Sequence, residues 1–166
     1  MNPILTFDTN LQGLDTFAKK LAAINKPSDI VLLQGELGTG KTTFARMLIN
    51  ALCHKMKIIP PTSIKSPTFP IMISYDLKGY ELYHYDLYRL KKNKELQELD
   101  IFENFKNNIS IVEWPEILMK ELEGKNYYSI NFSPNNTFKL MWGMSENADF
   151  SHYTILKADN IVFSKP

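Results

Sequence analysis

The residues best suited to chemistry lie within residues 32–48, which read LLQGELGTGKTTFARML. Gly35, Gly40, Lys41 and Thr42 fulfil the pattern G-x-x-x-x-G-K-[ST] of a phosphate-binding loop. Its glycines let successive backbone N–H groups turn inward around a phosphate, and the positive end of a following helix adds to the attraction. The lysine of such a loop reaches the β- and γ-phosphates of a nucleotide, and the threonine hydroxyl is a Mg²⁺ ligand. A mere glycine-rich turn would leave the lysine and the threonines unexplained.

A phosphate-binding loop also needs a carboxylate at the end of a neighbouring strand to support the metal ion. Two candidates end strand-like runs, Glu113 after ISIV and Asp86 after ELYHY. The pattern leaves this choice open, because Glu113 has the expected position and Asp86 is the more usual residue type. His84 would share a strand face with Asp86 and is expected to be structural. Trp114 is expected to pack, with covering of the nucleotide as the alternative.

The elements that must position these residues alternate between strand and helix signals. Residues 30–35 form a continuous apolar run, typical of a strand buried on both faces, and apolar residues at helical spacing follow Lys41. Further predicted elements are a strand at 4–7, a helix capped by Asp8, Thr9 or Asn10 with its apolar stripe starting at Leu11, a loop at 55–70, two strands joined near Lys78 and Gly79, a helix at 93–105, a strand at 109–112 and edge strands within 127–142. This order predicts an α/β fold of the P-loop NTPase type, a mostly parallel central sheet flanked by helices with added antiparallel strands.

Composition limits the functions that the chain could have. Its 166 residues are 44% hydrophobic, which predicts one P-loop domain over residues 1–147 with residues 148–166 as its C-terminal tail. A formal net charge of +1 gives no whole-chain electrostatic case for binding nucleic acid or a membrane. The single cysteine, Cys53, suits a reducing compartment, and no segment is apolar over the length of a membrane span. We therefore expect a cytoplasmic protein.

Four blocks of sequence carry a resemblance that extends beyond the loop. In order along the chain they are LQGELGTGKTTFARML, SPTFPIMISY, YHYDLYRL and IVEWPE. At these separations the chain resembles the bacterial TsaE family, also called YjeE, from about residue 9 to about residue 140. The resemblance implies a small ATPase required for threonylcarbamoyladenosine modification of tRNA, which acts with the proteins TsaD and TsaB. It further implies that hydrolysis is efficient only in that assembly, and that the contact with tRNA is indirect.

The resemblance also implies roles for individual residues. Mg²⁺ would be held by Thr42 and Glu113, which resolves the choice between the two acids. Asp86 would be a second acid that hydrolysis requires, acting with Lys41 and with Thr68, a switch residue whose hydroxyl senses the γ-phosphate. The implied ATP-binding residues are Thr9, Glu36, Leu37, Gly38, Thr39, Gly40, Lys41, Thr42 and Thr43.

Two departures from the family pattern concern Glu36, where the family usually has aspartate, and Asp100, where a glycine is common. The first keeps the charge of the side chain, and the second leaves the end of the predicted helix at 93–105 uncertain.

The competing prediction is a free-standing small-molecule or nucleotide kinase. Kinases of this kind commonly close a lid whose arginines neutralise the charge on the transferred phosphoryl group. The chain has only two arginines, Arg46 after the loop and Arg89 after Asp86, and no arginine-bearing lid segment can be recognised. This shortage favours a hydrolase that a partner completes.

Overall fold

The structure is a computed structural model that describes residues 4–8, 10–122, 125, 127–134 and 137–143. The strands are β1 Ile4–Asp8, β2 Ile30–Gly35, β3 Met72–Asp76, β4 Glu81–Asp86, β5 Ile109–Glu113, β6 Tyr127–Phe132 and β7 Thr137–Gly143. The helices are α1 Leu11–Ile24, α2 Lys41–Lys55, α3 Asn93–Glu98, α4 Ile101–Asn104 and a 3-10 helix Pro115–Leu122. Thr9 and the tail at 148–166 lie outside the described residues.

All of the described strands join one sheet in the order β1-β7-β6-β2-β5-β4-β3. The four strands β6, β2, β5 and β4 pair in parallel, and β1, β7 and β3 are added through antiparallel pairings. This arrangement confirms the predicted α/β fold with a mostly parallel centre and antiparallel additions. The carboxyl ends of β2, β4 and β5 therefore lie side by side at one end of the parallel strands, where the residues suited to chemistry were predicted.

The prediction of edge strands within 127–142 is wrong. Strand β6 pairs with β2 on one side and with β7 on the other, and β7 in turn pairs with β1 along its length. The edges are β1 and β3. The alternation of apolar and polar residues in β6 resembles that of an exposed strand, but Ser129 is only 3% exposed, and its hydroxyl is satisfied by donating to Gln34 Oε1 at 2.8 Å.

Strand β2 is buried on both faces, as predicted. Val31 and Leu33 belong to the apolar core shared with α1 and α2, whereas Ile30 and Leu32 belong to the core on the opposite face. That second core contains side chains of α3, α4 and the 3-10 helix. Helices thus cover both faces of the sheet, and the phosphate-binding loop emerges from a strand that is buried on both faces.

The start of the first predicted helix agrees with the prediction at its cap but not at its first apolar residue. Of the three candidate caps, Asn10 is the N-cap of α1, and its side chain accepts a hydrogen bond from the Gly13 N–H at 3.0 Å. Leu14 and Leu21 are buried as the stripe requires, but Leu11 is 67% exposed. The first turn of α1 therefore projects beyond the core.

The single helix predicted at 93–105 is two short helices, α3 and α4. Asp100 separates them with φ 50°, in the left-handed region. A residue with this backbone conformation ends a right-handed helix, and a Cβ atom makes it unfavourable for most residues other than glycine, with aspartate among those that tolerate it best. The departure from the family glycine thus falls at the point where the chain bends.

In the part of the chain that the structure describes, no helix combines the length and the apolar character needed to cross a membrane.

Candidate functional site

The loop between β2 and α2 is shaped by its glycines. Gly35, Gly38 and Gly40 have φ of 133°, 78° and 104°, which side chains rarely permit. A Cβ atom on Gly35 would also lie 2.4 Å from the carbonyl oxygen of Phe132. Gly40 is the N-cap of α2 and supplies no side-chain cap, so the first N–H groups of the helix point toward the loop without a capping side chain. This backbone is suited to an anion.

Lys41 begins α2, and its ammonium group returns over the loop. The Nζ atom donates to the carbonyl oxygens of Gly35 and Glu36, both at 2.7 Å, and lies 3.8 Å from the centre of the Trp114 ring. The side chain is 4% exposed. Burial lowers the pKa of the Lys41 ammonium, and the negative charge of Glu113 opposes that shift most strongly among its acidic neighbours. A cation is therefore held at the loop without solvent competing for it.

Thr42, the next residue, contacts the end of β5. Its hydroxyl donates to Glu113 Oε2 at 2.7 Å, and Glu113 is 2% exposed. Strand β5 pairs with β2 so that Glu113 stands opposite Leu33, two residues before the loop begins. The structure thus brings together the two residues expected to hold Mg²⁺. One hydroxyl and one carboxylate suit Mg²⁺, which takes few protein ligands and completes its shell with water and phosphate oxygens.

Among the described residues, no cluster of three or more histidine, cysteine, aspartate or glutamate side chains could hold a metal ion by itself. A metal ion placed at Thr42 and Glu113 would therefore have to complete its shell with other ligands, such as water or phosphate oxygens.

Asp86 lies beside Glu113 because the two are register partners of β4 and β5. Asp86 is 7% exposed, and its Oδ2 atom accepts a hydrogen bond from the Thr68 hydroxyl at 3.0 Å. Its Oδ1 atom accepts from the N–H of Tyr88 at 3.1 Å. The Thr68 hydroxyl also lies 2.7 Å from that of Ser66. Thr68, the expected switch residue, is thus hydrogen-bonded to Asp86, the expected second acid.

Thr68 lies in the irregular loop at residues 56–71 between α2 and β3, which contains four prolines and is called the proline-rich loop here. This loop is attached to β4 a second time. The N–H of Asp86 donates to the carbonyl oxygen of Ile71 at 2.9 Å. Ile71 has φ 65°, an unusual conformation for a β-branched residue. Asp86 therefore binds the proline-rich loop through both its side chain and its backbone N–H.

Two neighbours of this site, Trp114 and His84, have contact partners that the sequence did not specify. The ring of Trp114 covers the Lys41 ammonium and packs against Tyr88 with the ring centres 4.8 Å apart. His84 is fully buried, and its Nε2 atom lies 2.8 Å from Glu113 Oε1. The available signals were that Trp114 directly follows Glu113 and that His84 stands two residues before Asp86, on the same face of its strand.

The remaining predicted nucleotide-binding residues follow the course of the loop. Glu36 and Leu37 are exposed, Leu37 at 84%. The Thr39 hydroxyl donates to the carbonyl oxygen of Glu36 at 2.8 Å, which closes the turn, and Thr43 lies half-buried in the first turn of α2. The prediction for Thr9 falls outside the described residues. The structure therefore brings five of the predicted residues together at the carboxyl end of the parallel strands: Lys41, Thr42, Thr68, Asp86 and Glu113.

Comparison with known proteins gives a family match over most of the chain. The profile of the family described as "Threonylcarbamoyl adenosine biosynthesis protein TsaE" matches residues 9–140. The chain is 46% identical over 101 residues to the tRNA threonylcarbamoyladenosine biosynthesis protein TsaE of Rickettsia conorii, which covers 61% of this chain and 55% of that protein. It is 46% identical over 109 residues to the protein of the same name from Rickettsia felis, covering 66% of this chain and 61% of the relative. The matches thus span less than two thirds of each of these relatives.

Among solved structures, the chain is similar to the crystal structure of Bacillus subtilis YdiB. The two superpose with a TM-score of 0.64 over 95% of this chain and 96% of that one, at 24% sequence identity. At this identity the similarity concerns the fold, which agrees with the predicted architecture.

Proposed function

The chain belongs to the TsaE family of threonylcarbamoyl adenosine biosynthesis proteins, and on that premise we propose that it hydrolyses ATP to ADP and phosphate in support of threonylcarbamoyladenosine modification of tRNA. Hydrolysis resets a complex of TsaB and TsaD in the cytoplasm, and the protein touches tRNA only indirectly. The formal net charge of +1 supports an indirect contact, because tRNA is a polyanion whose tight binding requires clustered positive charge.

One observation carries the proposal. Thr42, the hydroxyl residue of the phosphate-binding loop, is bonded to Glu113 at 2.7 Å, and a second carboxylate, Asp86, is the register partner of Glu113. A protein that binds the nucleotide without hydrolysing it needs only the first acid, Glu113. Two acids side by side, bonded to different partners, allow one to serve the metal ion and the other to serve a water molecule.

The loop residues fit a nucleotide and Mg²⁺ in the following way. The backbone from Gly35 to Thr43 and the ammonium of Lys41 bind the phosphates, and Thr42 and Glu113 hold Mg²⁺. When bound, Mg²⁺ supplies positive charge that offsets the charge of the phosphate oxygens. Trp114 covers the ammonium of Lys41 and limits its access to water.

Asp86 has the acceptor capacity that hydrolysis requires. An ionised carboxylate only accepts hydrogen bonds, at about four lone-pair sites. The Thr68 hydroxyl and the Tyr88 N–H occupy one site on each oxygen. The remaining capacity is available to orient a water molecule as a nucleophile and to take up its proton.

The surroundings of Asp86 also connect the site to the surface. Phe69 follows Thr68 and is 84% exposed, and Tyr88 is 61% exposed. Large exposed aromatic side chains are typical of protein interfaces. A partner that binds Phe69 and Tyr88 would move the residues bonded to Asp86, which supports hydrolysis that depends on TsaB and TsaD.

Each of the two arginines contacts a residue outside the phosphate-binding loop. Arg46 donates from Nε to the carbonyl oxygen of Ile64 at 2.8 Å, and the guanidinium of Arg89 lies over the Phe69 ring at 4.5 Å. A slow hydrolase that gains a charge or a conformational change from its partners agrees with this arrangement.

The experiment is to measure phosphate release from ATP by the purified protein, alone and with TsaB and TsaD. We expect slow release alone and stimulation by the two partners together. Stimulation should require ATP with Mg²⁺ and should be absent for the Lys41→Ala variant.

The alternative, a free-standing small-molecule or nucleotide kinase, is tested in the same reactions. Stoichiometric phosphorylation of a small metabolite, with no response to the partners, would establish the kinase and exclude the proposed ATPase.

A further inference from the structure

His84 is the residue of the site whose contacts the proposed function does not use. It lies on β4 opposite Ile111, while Asp86 lies opposite Glu113, so the imidazole reaches diagonally across to the end of β5. Its Nε2 atom is 2.8 Å from Glu113 Oε1, and the two side chains are 0% and 2% exposed. Water therefore does not compete for this hydrogen bond.

The direction of the hydrogen bond follows from the chemistry of Glu113. A carboxylate that serves a metal ion is ionised and can only accept, so the Nε2 atom of His84 carries the hydrogen. In the described structure the Nδ1 atom of His84 is buried and has no hydrogen-bond partner. The imidazole thus has one polar contact, and that contact is made with Glu113.

The two oxygens of Glu113 are fixed by different donors. Oε1 accepts from His84, and Oε2 accepts from the hydroxyl of Thr42. A glutamate side chain has three rotatable torsions, and the bond at Oε1 orients the carboxylate independently of Thr42. A hydroxyl that binds a metal ion through a lone pair can still donate its hydrogen to Glu113, so the bond to His84 is a second, separate restraint on the orientation of the carboxylate.

We propose that His84 is a positioning residue that holds Glu113 toward Thr42 and thereby sets the affinity of the site for Mg²⁺. The inference rests on the proposed function, since it takes Thr42 and Glu113 as the residues that hold the metal ion. Groups that hydrogen-bond a metal ligand typically contribute roughly ten- to hundredfold to metal affinity.

The test compares His84→Leu, which removes the donor, with His84→Gln, whose amide N–H can reach the place of Nε2. Binding of a fluorescent ATP analogue is titrated at a series of Mg²⁺ concentrations and in EDTA. We expect His84→Leu to raise the half-saturating Mg²⁺ concentration roughly ten- to hundredfold, with the affinity in EDTA unchanged. His84→Gln should keep most of the wild-type Mg²⁺ affinity.

A purely structural role gives a different pattern. An equal loss of affinity with and without Mg²⁺, an unchanged Mg²⁺ dependence, or the same shift in both variants would overturn the inference. If the wild-type protein itself bound nucleotide with no response to Mg²⁺, the proposed function would fail instead, so the two failures are distinguishable.

A measurement on the unaltered protein covers the case in which His84→Leu does not fold. The imidazole nitrogens of His84 are observed by ¹⁵N NMR with nucleotide alone and after addition of Mg²⁺. We expect a proton on Nε2 and a shift of its resonance on addition of Mg²⁺. A proton on Nδ1 only, or a resonance that ignores Mg²⁺, would overturn the inference.

Discussion

Asp86 and Glu113 end the parallel strands β4 and β5 as register partners, yet among the described residues their carboxylates share no hydrogen-bonding partner. Glu113 is bonded to Thr42 and His84, whereas Asp86 is bonded to Thr68 and to the backbone of Tyr88. Two neighbouring acids with separate partners can be altered one at a time.

Lys41→Ala is expected to remove nucleotide binding. The change deletes the cation that lies over the loop, and hydrogen bonds to a charged group contribute roughly 1.5–3 kcal/mol each. With more than one phosphate oxygen contacted, we expect the Kd for ATP to rise by at least about a hundredfold. Isothermal titration calorimetry measures the change. Lys19→Ala is a matched control, because the Lys19 ammonium is exposed and pairs with Asp15 across one helical turn.

Asp86→Asn is expected to separate binding from turnover. The amide keeps the shape of the side chain and an oxygen acceptor, but it loses the negative charge that would take a proton from water. Nucleotide affinity should stay close to that of the wild type, and the partner-stimulated rate should fall roughly 10²- to 10⁴-fold. Stopped-flow phosphate release with TsaB and TsaD measures the rate, and Asp86→Ala should behave in the same way. Normal turnover of either variant would show that Asp86 has a different role.

Thr68→Val is expected to weaken the response to the partners. Valine keeps the branched shape of threonine but cannot donate to Asp86, and it leaves one oxygen of that carboxylate without its donor. Thr68→Ser keeps the hydroxyl and serves as the matched control. We expect TsaB and TsaD to stimulate phosphate release less in the valine variant than in the serine variant. Equal stimulation of both would contradict the switch role.

Gly35→Ala is expected to destabilise the fold. The new Cβ atom would lie 2.4 Å from the carbonyl oxygen of Phe132, at a residue with φ 133°. Gly79→Ala is a close control, because Gly79 has φ 131° but no atom within 4 Å of the added Cβ. We expect the free energy of unfolding to fall by about 1–3 kcal/mol more for Gly35→Ala than for Gly79→Ala. Urea denaturation followed by circular dichroism measures both.

The local parts of the fold and site could be predicted from the sequence. The loop at Gly35–Thr42 is defined by backbone conformation and by residues adjacent in sequence, so its pattern is complete in one short segment. Glu113 could be proposed because it ends a buried apolar run. The structure then placed it 2.7 Å from Thr42, although 71 positions separate them.

Features that depend on the pairing of distant strands could not be predicted. The contact between His84 and Glu113 requires the register of β4 against β5, which no local pattern specifies. The same holds for β6, whose alternation does not reveal that β7 and β1 cover its outer side. The break at Asp100 has another cause. Helical periodicity continues on both sides of this one residue with positive φ, so the departure from the family glycine indicated an uncertain helix end but not two separate helices.

Ile71 gives the proline-rich loop an energetic property of its own. A β-branched residue at φ 65° costs of order 1–3 kcal/mol relative to a relaxed backbone. The bond from the Asp86 N–H to its carbonyl oxygen helps to hold it there. The loop therefore holds strain in its backbone. If its attachment to Asp86 is broken, Ile71 can return to a relaxed conformation, and part of that energy is recovered. A partner would then need only to break this attachment, and the relaxation of the Ile71 backbone would contribute to the movement of the loop.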